Sequence, residues 1–211
     1  RLAKVQVGNP ELEAVRMGPV VGLAQRSDVL ARVKTLRAEA ELVAGDPDNF
    51  DVHGADVRRG AFLPPMLLHC PDPIRASYVH AVEAFGPVCT VMGYDTVETA
   101  MALANRGGGS LVASVYTHDP KTASDIVFGI ASFHGRLVLI DRDCAKEQTG
   151  HGSPMPQMVH GGPGRAGGGE ELGGVRSLRH YMQVTALQGS PAMLTGVTGR
   201  WTKGAPVVEK D

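Results

Sequence analysis

Between residues 88 and 140 short apolar runs alternate with amphipathic stretches, and this alternation constrains the fold more than any other feature of the chain. The run 88–92 reads as a strand. Asp95-Thr96 then caps a helix over 97–105, with Ala100, Met101 and Ala104 turned inward. A second strand spans 110–117, Asp119-Pro120 opens a helix running to about Phe133 with Ile126, Val127 and Ile130 at helical spacing, and a third strand spans 136–140. Strands joined through helices pair in parallel, so the expected fold class is α/β, a mostly parallel sheet with flanking helices.

Upstream, residues 24–40 are good helix formers with Val29, Leu30, Val33 and Leu36 along one stripe, which predicts a surface helix. A short strand over 41–44 precedes the turn-forming run Gly45-Asp46-Pro47-Asp48-Asn49. Segment 61–70 is apolar but holds Pro64-Pro65, which lack two backbone donors, so it is expected at a sheet edge or crossing the surface. Beyond 140 the periodicity stops, and ten of the 27 glycines fall between Gly150 and Gly174. An aperiodic stretch of this length exceeds the roughly 12 to 15 residues above which loops are functional or disordered. A last helix is expected from 174 or 175 to 186, followed by extended chain over 185–201. The domain reading is therefore one unit over 1–184 and an extended tail over 185–211 for oligomerisation or linkage.

Composition excludes several functions. The 21 basic and 22 acidic residues give a net charge of −1 and form no basic cluster, so no nucleic-acid partner is expected. Every apolar run stops short of the roughly 18 to 20 residues that cross a bilayer, so no membrane partner is expected either. The three cysteines form no C-x-x-C and no disulfide framework, which suits a reducing compartment, and the chain is read as cytoplasmic.

Gly162-Pro163-Gly164-Arg165-Ala166-Gly167 matches G-x-G-x-x-G, but the proline-containing run Ser153-Pro154-Met155-Pro156-Gln157 cannot be the central strand that a dinucleotide fingerprint requires, and no ribose-binding acid follows at the right distance. Eight histidines fit no metal-ligand spacing, so no metal is expected. Ser153 is not in a G-x-S-x-G elbow. Among the cysteines only Cys144 stands in a polar stretch, and none has a legible thiolate setting. Glu83, in Val82-Glu83-Ala84-Phe85-Gly86-Pro87-Val88, is the most informative single residue: a carboxylate accepts two neighbouring hydroxyls, and Phe85 offers an apolar face to a flat ring.

The order of these motifs resembles the aldehyde dehydrogenase superfamily, specifically the carboxyl-terminal part of its catalytic domain, over nearly the whole chain. Gly8-Asn9-Pro10 with Met17-Gly18-Pro19-Val20 is similar to the family's G-N/D-P...M-G-P-L stretch, and Gly60-Ala61-Phe62-Leu63-Pro64-Pro65-Met66-Leu67-Leu68 to its G-x-F-x-x-P-T-L-L segment. Glu83-Ala84-Phe85-Gly86-Pro87-Val88 resembles E-x-F-G-P-V, and Tyr94-Asp95-Thr96 and Ala102-Leu103-Ala104-Asn105 follow in the family's order. The resemblance implies an incomplete catalytic-domain-like fold, NAD or NADP as cofactor, Glu83 on the nicotinamide-ribose hydroxyls and Phe85 beside the nicotinamide. It implies that His160, Gly161 and Gly162 begin a glycine-rich loop by the substrate tunnel, with His160 where the family has an aromatic residue and Asp141 where it has asparagine.

Ala145-Lys146-Glu147, Thr149-Gly150-His151-Gly152-Ser153-Pro154 and His180-Tyr181-Met182-Gln183 resemble one branch, the CoA-thioester semialdehyde dehydrogenases of phenylacetate and benzoate breakdown. The implied activity is oxidation of a CoA-linked semialdehyde to the acid by a homo-oligomer. The family's nucleophilic cysteine in G-Q-x-C, its glutamate base and its cofactor domain match no part of these 211 residues, so the segment alone is expected to be inactive. The competing expectation is a noncatalytic interaction module built on the same fold.

Overall fold

The structure, a computed structural model, describes residues 1–148, 161, 165 and 181–206. The chain forms two compact units, Arg1–Tyr94 and Asp95–Asp211, so the boundary expected at 184/185 falls inside the second unit.

The first unit runs β1 (Val7–Gly8), α1 (Leu23–Leu36), β2 (Glu41–Ala44), β3 (Val52–His53), β4 (Met66–Cys70), α2 (Tyr78–Ala81) and β5 (Val88–Met92). β1 pairs in parallel with β3, while β4 lies between an antiparallel β2 and a parallel β5. Residues 66–70 are thus a central strand, contrary to the edge expected from Pro64-Pro65. The prolines end one residue before the ladder, and the first donor needed, the Met66 amide, reaches the Pro87 carbonyl at 2.8 Å. Residues 61–63 are buried, Leu63 at 1% exposure, and do not cross the surface.

The apolar stripe of α1 packs on alternate residues of β4. Val29 and Val33 meet Leu63 and Met66 in one cluster, and Leu36 joins Leu68 and Cys70 in another. The opposite face of the sheet leaves His69, Cys89 and Val91 exposed. α1 ends four residues before the expected position, because Ala38 and Glu39 donate to Thr35 and Leu36 in tight i−3 closures. That turn frees Glu39 to cap α2: its carboxylate accepts the amides of Ser77 at 2.9 Å, Tyr78 at 2.6 Å and Val79 at 3.3 Å. Desolvation pushes the Glu39 pKa up, but these amides and the Ser77 hydroxyl outweigh it and the net direction is down. A carboxyl lowered on folding contributes stability above its unfolded pKa and loses it as pH falls through the lower folded value. Glu39→Gln is therefore expected to flatten the acid limb of a melting-temperature profile below about pH 4.5. A limb identical to that of the wild-type chain would remove Glu39 as its cause.

The second unit runs α3 (Val97–Arg106), β6 (Ser110–Tyr116), α4 (Pro120–Ile130), β7 (His134–Ile140), β8 (Ala186–Gln188) and α5 (Pro191–Thr198). The three strands are parallel in the order β6-β7-β8. The strand-helix alternation appears as expected, with Thr96 Oγ1 accepting the Thr99 amide at 3.1 Å and Asp119 accepting those of Lys121 and Thr122. Ala104 is exposed rather than inward, and Met101 makes the α3 contact to the core of Val127, Ile130, Leu137 and Leu139.

The extended reading of 185–201 is incorrect. Ala186–Gln188 extends the sheet beside β7, and α5 packs Met193 and Val197 into that same core. Ser190 caps the helix, with Pro191 at its first position and Gly199 in the left-handed conformation after its end. The expected helix over 174–186 lies largely outside the described residues; the described part, 181–186, is turn, bridge and strand.

Between α3 and β6 the chain turns on Gly108 and Gly109, both at positive φ. At Gly109 an added Cβ would stand 1.9 Å from the Phe133 carbonyl oxygen, at φ +99°. Gly109→Ala combines left-handed strain with a backbone clash and is expected to cost more than about 2 kcal/mol in chemical denaturation. A loss below roughly 0.5 kcal/mol would mean that the turn rebuilds freely.

Candidate functional site

Glu83 and Phe85 sit in the irregular stretch between α2 and β5. They line one cleft of about 700 Å³, together with Gln25 and Leu36 of α1, Val79 of α2 and Thr90 of β5. The parallel register that seats Val88 beside Met66 turns Val88, Thr90 and Met92 into the cleft and leaves Glu83 and Phe85 at its side. Phe85 is 72% exposed, so its ring is presented rather than packed. An exposed carboxylate two residues from an exposed aromatic face suits a ligand with adjacent hydroxyls next to a flat ring. The structure therefore brings the two expected cofactor residues to one cleft.

Gln25 also belongs to this cleft, although its sequence position suggests only the polar side of α1. Its Oε1 accepts the Val21 amide at 3.0 Å and its Nε2 donates to the Phe85 carbonyl at 2.8 Å. A contact over sixty residues leaves no local signal in the sequence.

Of the expected loop residues, Gly161 is described: it is buried and bridges Val184, whose carbonyl accepts its amide at 2.8 Å. His160 and Gly162 lie outside the described residues.

Asp141, just past β7, is 5% exposed and fully engaged. One oxygen accepts the amides of Asp143 at 3.1 Å and Cys144 at 3.0 Å, and the other accepts the hydroxyl of Ser190. Burial pushes its pKa up, but these donors prevail and hold it below the usual value. Ligand atoms of His118 and Asp143 come within 4.8 Å of Asp141, but the Asp141 oxygens already serve the loop and the α5 cap. Burial raises the Cys144 thiol, whose sulfur contacts the Leu139 carbonyl, and burial likewise raises Cys70. Neither has the lowered pKa of a nucleophile. No helix among the described residues is long and apolar enough to cross a membrane.

Comparison with known proteins gives this α/β chain its family. The family model for the aldehyde dehydrogenase family matches residues 1–187. The chain belongs to the aldehyde dehydrogenase family. It is 48% identical over 194 residues to Protein MaoC of Klebsiella aerogenes, covering 92% of this chain and 56% of that protein. It is 44% identical over 163 residues to the 3,4-dehydroadipyl-CoA semialdehyde dehydrogenase of Aromatoleum evansii, covering 77% of this chain and 32% of that enzyme. The chain thus spans about half and about a third of these relatives. Among solved structures, a betaine aldehyde dehydrogenase variant of Staphylococcus aureus in complex with NAD+ superposes with a TM-score of 0.57 at 28% identity, over 67% of this chain and 28% of that one. HpcC of Thermus thermophilus gives 0.57 at 26%, over 66% and 26%.

Proposed function

We propose that this chain supplies the nicotinamide-riboside end of the cofactor site in an NAD(P)-dependent aldehyde dehydrogenase that oxidises a CoA-linked semialdehyde to its acid. The observation that carries this reading is the shared cleft of Glu83 and Phe85. The NAD+ complex of the Staphylococcus aureus relative supports the cofactor class, and the name of the Aromatoleum evansii relative supports the substrate class. The bound cofactor supplies the hydride acceptor. The residues of this chain bind and orient: the Glu83 carboxylate accepts the ribose hydroxyls, and Phe85 borders the ring so that it presents one face to the aldehyde.

His160, Gly161 and Gly162 belong to the aldehyde side of this reading. Aldehyde capture is assigned to a cysteine thiolate on polypeptide outside residues 1–211, and the segment by itself is inactive. The whole enzyme is read as a cytoplasmic homo-oligomer.

The test is saturation-transfer NMR of the chain with reduced nicotinamide mononucleotide, the half of the cofactor these residues would hold. Transfer to the ribose and ring protons, with its half-saturation moved to about tenfold higher nucleotide concentration in Glu83→Gln, is the expected result. Equal transfer in both chains would place the ligand elsewhere.

A further inference from the structure

We propose that Gln25 is the positioning residue of this site: its carboxamide ties the Phe85 carbonyl to the first turn of α1 and so sets the angle at which the Phe85 ring meets the nicotinamide riboside. The inference rests on the cofactor reading of the Glu83–Phe85 cleft and adds the part that holds its ring in place.

Three observations carry it. Phe85 is 72% exposed, so burial does not fix its ring, and the backbone that bears it sets the Cα–Cβ direction from which the ring projects. That backbone is held against α1 at two successive residues. The Phe85 carbonyl accepts Gln25 Nε2 at 2.8 Å, while Gly86 lies so close to the fully buried Val29 that a Cβ on it would meet Val29 Cγ2 at 2.8 Å. Gln25 and Val29 are four residues apart and share one helix face, so the two holds act together. Finally, both ends of the Gln25 amide are engaged. The Val21 amide donates to Oε1 at 3.0 Å, which assigns the oxygen and directs the NH2 group at Phe85. The loop adds its own tight closures, Gly86 N to Ala84 O and Val88 N to Gly86 O, both 2.7 Å, so a pull on Phe85 O is transmitted to the start of β5. Glutamate here would present oxygen to the Phe85 carbonyl, and asparagine is one methylene too short.

The experiment uses the whole chain with para-fluorophenylalanine at its five phenylalanines, the Phe85 resonance being assigned through Phe85→Leu. In Gln25→Glu and in the neutral Gln25→Met, with folding verified by circular dichroism, the Phe85 line is expected to move toward the free amino acid while the other four stay. Affinity for reduced nicotinamide mononucleotide, read on the same line, is expected to fall about tenfold. A Phe85 line unmoved in both folded variants overturns the inference. So does a moved line with unchanged affinity.

A line that moves in the variants while the wild-type chain shows no nucleotide response overturns the cofactor reading and leaves the tie between Gln25 and Phe85 standing. Should neither variant fold, hydrogen exchange of the wild-type Val21 amide decides. Val21 is 99% exposed and precedes α1, so protection of its amide supports the held carboxamide that aims Nε2 at the Phe85 carbonyl, and free-peptide exchange overturns it.

Discussion

Glu83→Gln is expected to weaken binding of reduced nicotinamide mononucleotide to the chain by about tenfold or more. The carboxylate is on the exposed side of its cleft, outside the three core clusters, so its replacement by an isosteric amide removes charge without opening a void. Toward a ligand with paired hydroxyls, what is lost is a double acceptor. A carboxylate accepts from both at once, whereas the amide offers one acceptor and turns a donor toward the second hydroxyl. Charge-assisted hydrogen bonds are roughly twice as strong as neutral ones, which is why the expected loss reaches a full order of magnitude. Affinity retained within about twofold would assign the ribose contact to another group.

Asp141→Ala is the second large effect, and it acts on stability. The side chain, itself 5% exposed, gathers two amides of the loop after β7 and the hydroxyl of the equally buried Ser190, which caps α5. Alanine leaves the buried Ser190 hydroxyl and the two loop amides without this acceptor, and loosens a helix whose Met193 and Val197 belong to the core. The expected cost is about 3 kcal/mol, a drop of roughly 10 °C in melting temperature. Asp141→Asn keeps an acceptor for the two amides and is expected to cost about 1 kcal/mol.

Because the folded carboxyl is held below its ordinary pKa, this contribution is complete above that ordinary value and is lost as pH falls through the folded one. Asp141→Asn should therefore be less acid-sensitive than the wild-type chain. Stability of Asp141→Ala within roughly 0.5 kcal/mol of wild type would show that the loop finds other acceptors.

The alternation between 88 and 140 is legible because each element there carries its own start signal. Thr96 and Asp119 cap the helices they precede, and β5 follows Gly86-Pro87 at once. The errors arise where local chemistry and tertiary position part. Pro64-Pro65 excludes a ladder only at its own two residues, yet the sequence reading extends its influence over all of 61–70 and puts the buried Met66–Cys70 strand at an edge. Over 185–201 the Ser190-Pro191 start and the Gly199 stop of α5 are present, but the short β8 before them has no period of its own and forms only because β7 offers an open side. Asp141 stands out in the sequence only by replacing the family's asparagine, and its structural role is hidden because Ser190 lies forty-nine positions away.

At the site, Glu83 and Phe85 are legible as a pair because they are two residues apart. Gln25 and Glu39 are not. The first acts on a carbonyl sixty residues away, and the second caps a helix thirty-eight residues ahead. Such contacts are set by how α1 packs on β4, and only the folded chain brings them together.

The most direct measurement is a crystal structure of the chain soaked with reduced nicotinamide mononucleotide. The cofactor reading predicts both ribose hydroxyls within about 3 Å of the Glu83 carboxylate and the ring bordered by Phe85. A nucleotide bound with its ribose away from Glu83, or density confined to another surface, would contradict it.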